Sequence, residues 1–283
     1  MIKAFFLTFL ALLAFAGNSI FSRLALGDEA IDAASFTAIR LSSGAVFLLF
    51  IIVLKTPKTA ILSHGSWSAA FFLFLYAATF SLAYLSLDTG LGALILFGCV
   101  QVTLIIASII KGNKLAFKEW AGFTIALLGL TILLLPGASA PPLSGFLLML
   151  IAGVSWGGYT LCGKGSTTPL FDTTSNFIKA LPMAAIMLLF FIDGAVISNT
   201  GVVLAIVSGA ITSGLGYAIW YAALREITVT QAAIFQLLVP IIATIAGIIF
   251  ADESITTNFI ISSVLILGGI LLFVSVPSAK QTS

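Results

Sequence analysis

Apolar runs about twenty residues long follow one another along almost the whole chain, and nearly every charge falls in the short segments between them. A hydrocarbon layer of ~30 Å takes about 20 helical residues to cross, and lipid offers the backbone no hydrogen-bond partners. Sixty per cent of the 283 residues are hydrophobic and 8% are charged. A soluble domain of this length could not hide so much apolar surface around one core. The pattern predicts an all-α polytopic membrane protein.

Ten transmembrane helices are expected, near 4–25, 34–54, 68–87, 91–111, 116–135, 143–163, 174–192, 201–222, 230–250 and 257–276. The first run continues through Asn18 to Leu26, too long for a signal-peptide core, so it is expected to be retained. Cys99 and Cys162 both lie inside spans, which supports neither a disulfide framework nor a zinc site. With the N-terminus in the cytoplasm, ten of the twelve basic residues fall on or near cytoplasmic segments; Arg23 and Arg40 do not. Asp28, Glu29, Asp32, Asp88, Asp193, Asp252 and Glu253 then lie outside. This asymmetry predicts a multi-pass protein of the cell (inner) membrane with both termini cytoplasmic.

The chain also matches itself at an offset near 139. Residues 92–134 laid on 231–273 align Ala93 with Ala232, Val100 with Val239, Ala107 with Ala246 and Gly129 with Gly268. The expected organisation is a first five-helix repeat (1–136), a linker (137–142) and a second repeat (143–283). Five is odd, so the second repeat enters the membrane upside down. Inverted repeats around a midplane site mark secondary transporters.

Short motifs add to this. The first span carries Ala-Gly-Asn-Ser (16–19), and the sixth Ser-Trp-Gly-Gly (155–158). Arg40 stands early in the second span, with Lys179 as its rough counterpart in the seventh. Pro240 lies in the ninth, followed by Ala251-Asp252-Glu253-Ser254. In these features the chain resembles the drug/metabolite transporter superfamily, in its ten-helix EamA-like branch. The first half departs from the family pattern: Gln101 stands where a proline is expected, and Lys111-Gly112-Asn113-Lys114 replaces an acidic ending. The resemblance implies that helices one to four and six to nine line a central cavity, with helices five and ten outside it. It names no cargo, because the family carries amino acids, vitamins, cofactors and organic cations.

Arg40 is the most informative intramembrane residue. It sits about 10 Å below the surface at 1.5 Å per residue, where a charge must pair or face water. Its guanidinium can fork onto a carboxylate or phosphate of the cargo; the alternatives are snorkelling or pairing with Asp28 or Asp32. Further candidates for substrate binding are Asn18, Ser19, Gln101, Trp156, Tyr159, Lys179, Tyr217 and Tyr221, with Pro240 as a hinge. Gly153 and Gly157 form a Gly-xxx-Gly pair suited to close helix packing. Tyr76, Tyr84, Tyr217, Trp220 and Tyr221 suit the aromatic belt at the membrane interface equally well.

No acid lies deep in any span, which disfavours proton-coupled efflux of cations. Metal-ligand, nucleophile-elbow and phosphate-loop motifs are all missing, so no enzyme, cofactor or metal is expected, nor is nucleic acid a partner. The sequence therefore predicts a secondary transporter, monomeric or homodimeric, for an amino acid or another carboxylate-bearing or zwitterionic metabolite. Uptake of a flavin-like vitamin or cofactor is the second reading; a channel or scramblase is the third.

Overall fold

Without water, a lipid-embedded backbone must satisfy its own polar groups, and the chain does so with helices. In a computed structural model, residues 2–55, 61–110, 112, 115–133, 140–224 and 235–275 are described. Residues 137–139 of the expected linker (137–142) lie outside them, as do Lys58, Lys111, Lys114, Arg225, Gln231 and Lys280.

The helices are α1 (Ile2–Leu26), α2 (Ala33–Lys55), α3 (Trp67–Ala83), α4 (Thr89–Ile110), α5 (Phe117–Ile132), α6 (Leu143–Gly163) and α7 (Pro169–Phe190). Then come α8 (Asn199–Val207), a π-helical stretch (Ser208–Leu215) and α9 (Gly216–Leu224), followed by α10 (Leu238–Phe250) and α11 (Thr257–Val274). The segment from α8 to α9 is continuous, and Asn199–Ala223 is long and apolar enough to cross a membrane as one piece. Among the described residues, six such helices occur, with three shorter apolar ones at Trp67–Ala83, Leu238–Phe250 and Thr257–Phe273.

Two expected ends move, for local reasons. α3 stops at Ala83 rather than near 87, because Tyr84 turns inward and is fully buried, its hydroxyl donating to Thr89 O at 3.2 Å. α7 starts at Pro169 rather than near 174; proline suits the first helical position, where no N–H is needed. Side chains cap other starts: Ser66 accepts from Ala69 N, Ser198 from Gly201 N and Thr256 from Phe259 N, each at 3.1 Å.

Packing runs largely between early and late helices. α5 lies on α11, α3 on α6, α2 on α7, and α4 on both α6 and α10. α1 lies along α8, the π stretch, α9 and α10. The α5–α11 pair touches the remaining helices chiefly through α4.

Small residues permit the closest approaches. A Cβ on Gly153 would stand 2.6 Å from Cys99 Cβ, and one on Gly157 2.8 Å from Thr103 Cγ2, so the Gly-xxx-Gly pair seats α6 on α4. Gly268 has open space at the same position. Gly153→Leu should therefore destabilise the protein by roughly 1–3 kcal/mol through overpacking, while Gly268→Leu should be near neutral. Thermal unfolding of the two purified variants in detergent tests this, and equal midpoints would contradict the packing.

Candidate functional site

Arg40 is 1% exposed, in the middle of the helix bundle. Its Nε donates to Ser213 Oγ at 3.0 Å, and its Nη2 to the hydroxyls of Tyr217 at 3.2 Å and Tyr76 at 3.3 Å. The guanidinium carbon also lies 5.0 Å from the Phe80 ring centroid and 5.4 Å from that of Tyr76, within cation–π range. No carboxylate comes within ion-pair distance of it among the described residues. Its Nη1 is buried and has no partner among the described residues. Asp32, one of the acids it might have paired with, is instead held at the start of α2, accepting from Ser35 N at 2.8 Å.

Asn18 completes the arrangement from α1. Its Oδ1 accepts from the hydroxyls of Ser208 (3.0 Å), Thr212 and Ser213 (3.1 Å). Its Nδ2 donates to Thr212 O at 3.3 Å and to the Tyr217 hydroxyl at 3.4 Å. Arg40, Ser213, Asn18 and Tyr217 thus close a ring of hydrogen bonds across α1, α2 and the π stretch with α9. One amide clasps most of the π-helical turn, and π segments concentrate at functional sites. A buried network of this kind is stable only while every member keeps its partner.

Beside the ring lies a narrow cavity lined by Phe15, Asn18, Tyr76, Phe80, Leu96, Phe97, Trp156 and Tyr217. Trp156 stands with its centroid 4.7 Å from Tyr217 and 4.9 Å from Tyr76, and its Nε1 has no partner. Phe15 packs against Trp156, Tyr217, Trp220 and Phe97 with centroids 5.5–6.2 Å apart. The result is a cationic fork beside an aromatic enclosure.

The other candidates are placed differently. Gln101 is buried one turn beyond Phe97 with its Nε2 unpartnered, but is not part of the cavity wall. Tyr159 is buried behind Trp156 at 5.5 Å and meets Tyr221 at 6.3 Å. Ser19 is buried on α1 outside the lining. Lys179 points away from Arg40: its ammonium donates to His64 O at 2.7 Å in the loop before α3. Pro240 occupies the first turn of α10, and the helical residues Phe235 and Gln236 precede a turn at Leu237. That break relieves the clash a proline ring makes with the carbonyl four residues back.

Sequence reasoning missed Phe15, Tyr76, Phe80, Phe97 and Ser213 as wall or fork residues. Tyr76, Tyr84, Tyr217 and Trp220, read as suited to an interfacial belt, are buried in the interior. The available signal was the four-residue spacing of Tyr76 and Phe80, which sets them on one helical face. Conversely, Ser155 and Thr160 donate to the carbonyls four residues back, Ile151 O at 2.7 Å and Trp156 O at 2.8 Å. Such hydroxyls satisfy themselves locally.

With this geometry in view, comparison with known proteins places the chain. Residues 143–275 match the EamA-like transporter family. An uncharacterized protein of Pseudomonas aeruginosa is 48% identical over 273 residues, covering 96% of this chain and 95% of its own. The chain belongs to the EamA-like transporter family, within the drug/metabolite transporter superfamily. It is a multi-pass membrane transporter. An Escherichia coli protein named "Probable amino-acid metabolite efflux pump" is 24% identical over 241 residues, covering 80% of this chain and 79% of its own. A solved crystal structure shares 17% identity with a TM-score of 0.65, covering 95% of this chain and 96% of that one. The last likeness establishes the shared fold.

Replacing Asn18 by leucine removes the acceptor of three hydroxyls of the π stretch; Thr212 keeps Ser208 O and Ser213 keeps Arg40 Nε, while Ser208 and the Tyr217 hydroxyl lose the amide. Each buried group left unpaired costs about 1–3 kcal/mol, so Asn18→Leu should lower the unfolding midpoint well beyond the loss from Ser19→Ala. Similar midpoints for the two variants would mean that the amide clasp does not hold the π turn.

Proposed function

We propose that this EamA-like family member is a secondary transporter working by alternating access, and that it carries an amino acid or another carboxylate-bearing or zwitterionic metabolite. The observation that carries this reading is Arg40: a fully buried guanidinium with no carboxylate in ion-pair reach and one nitrogen unpartnered among the described residues, beside a cavity. A charge in so dry a place is costly unless paired. Arginine is the side chain whose planar fork fits a carboxylate. The cargo's anionic group supplies the missing partner, and Trp156, Tyr76 and Tyr217 receive its less polar part. The name of the Escherichia coli relative agrees with this cargo class.

The helix pairings support two inverted repeats of five spans in a ten-span fold. If α1 to α5 are exchanged with α6, α7, the α8–α9 segment, α10 and α11, then α3 on α6 becomes the α8–α9 segment on α1. Likewise α4 on α6 becomes α10 on α1, while α2 with α7 and α5 with α11 map onto themselves; every one of these pairings occurs. Orientation rests on the positive-inside bias, which sets both termini in the cytoplasm of the inner membrane. A planar vitamin or cofactor such as a flavin is the second reading, favoured by the aromatic faces around the cavity.

A thermal-stability screen of the purified protein against amino acids, organic acids, flavins, nucleotides and quaternary amines tests the proposal. A ligand at ~100 times its dissociation constant adds about 2.7 kcal/mol. A carboxylate hit is expected that disappears in Arg40→Ala and returns only in part in Arg40→Lys, where the fork is lost. A quaternary amine that stabilises wild type and Arg40→Ala alike would sink the anionic reading.

A further inference from the structure

Asp32 and Asp172 stand 140 residues apart, close to the offset at which the chain matches itself, and they make the same kind of contact at opposite ends of the bundle. Asp32 precedes α2. Its Oδ2 accepts from Val196 N at 3.1 Å, in the loop between α7 and α8. Asp32 N donates to Val196 O at 2.9 Å, Ser198 N to Ala30 O at 3.0 Å, and Ile31 pairs with Ile197 in an isolated antiparallel bridge. Asp172 lies in the first turn of α7. Its Oδ1 accepts from Gly65 N at 3.0 Å, in the loop between α2 and α3. Around it, Asn176 Oδ1 accepts from Ser66 N at 2.9 Å, and Ser175 Oγ and Lys179 Nζ donate to His64 O at 2.6 and 2.7 Å. Gly65 is left-handed, and a Cβ there would come 2.3 Å from Asn176 Oδ1.

In each case a carboxylate at the start of one helix binds a backbone N–H of a loop from the other half of the chain. The helix exchange that relates the two halves carries one contact onto the other: α2 becomes α7, and the α7–α8 loop becomes the α2–α3 loop. Because α2 and α7 each run from one end of the bundle to the other, the two contacts sit at opposite ends. The cavity beside Arg40 lies between them.

We propose that Asp32 and Asp172 are paired latches, one at each mouth of the cavity, and that the transport cycle releases them in turn. Each holds its mouth shut by tying the two halves together there. Breaking one opens that mouth while the other stays closed. The proposal rests on the transporter reading for its meaning.

The test is thiol accessibility. In a full-length chain with Cys99 and Cys162 replaced by serine, Leu96→Cys puts a reporter on the cavity wall. A membrane-impermeant methanethiosulfonate is applied to vesicles of each orientation. Asp32→Ala should raise the labelling rate about tenfold from the Asp32 face only, and Asp172→Ala by as much from the Asp172 face only, since each loses charge-assisted hydrogen bonds. Equal labelling from both faces, or the same face opened by both variants, would overturn the latches. Should either alanine variant fail to fold, Ile31→Cys with Ile197→Cys supplies a lock, since bridge partners lie within disulfide reach. Oxidation should stop labelling from the Asp32 face and leave the other face unchanged, with recovery on reduction; no change on oxidation counts against the proposal. Labelling needs no cargo, so this result and the Arg40 result can fail independently.

Discussion

The placement of one guanidinium organises the centre of this transporter. Arginine cannot shed its proton to escape a dry interior, so everything near Arg40 must accommodate a permanent cation. Three hydroxyls accept from it and two aromatic faces flank it. Those hydroxyls come from α3 and from the π stretch and α9, and Asn18 ties the second set to α1. Four regions of the chain therefore converge because one side chain demands polar company.

The same economy explains which polar residues matter. In a bundle with little water, a hydroxyl on a helix has an acceptor waiting four residues back. Thr37, Thr79, Ser81, Thr103, Ser155, Thr160, Thr174 and Thr244 all use it. Side chains too long or too rigid for that bond, such as Arg40, Asn18 and Tyr217, must reach across to other helices. The long side chains build the site, and they draw in those hydroxyls, of Ser208, Thr212 and Ser213, that face Asn18.

Helix existence was readable in the sequence because lipid leaves the backbone no alternative, and most predicted spans coincide with helices to within a few residues. Arg40 and Asn18 stood out because their polarity is costly in an apolar run. The aromatic wall was not readable: Phe15, Phe80 and Phe97 are ordinary residues for lipid-facing positions, and only packing turns them inward. The contrast between Arg40 and Lys179 was equally hidden. Both are basic and stand 139 residues apart in the sequence, but the Lys179 ammonium is taken up by His64 O. Nor does composition announce a π turn, since Ser208–Leu215 is made of residues that any α-helix would accept.

That π turn has a consequence for chain length. A wider turn takes up one more residue than α-helix would over the same rise, so the α8–α9 segment carries a residue of slack just before Tyr217 and Trp220. Remove that residue and a regular helix becomes possible, but everything beyond it turns by about 100°. Tyr217 would leave Arg40, and Trp220 would leave Phe15. Beyond the side chains of this segment that bond Asn18 and Arg40, the number of residues between Ser208 and Tyr217 is itself as tightly constrained as any contact in the site.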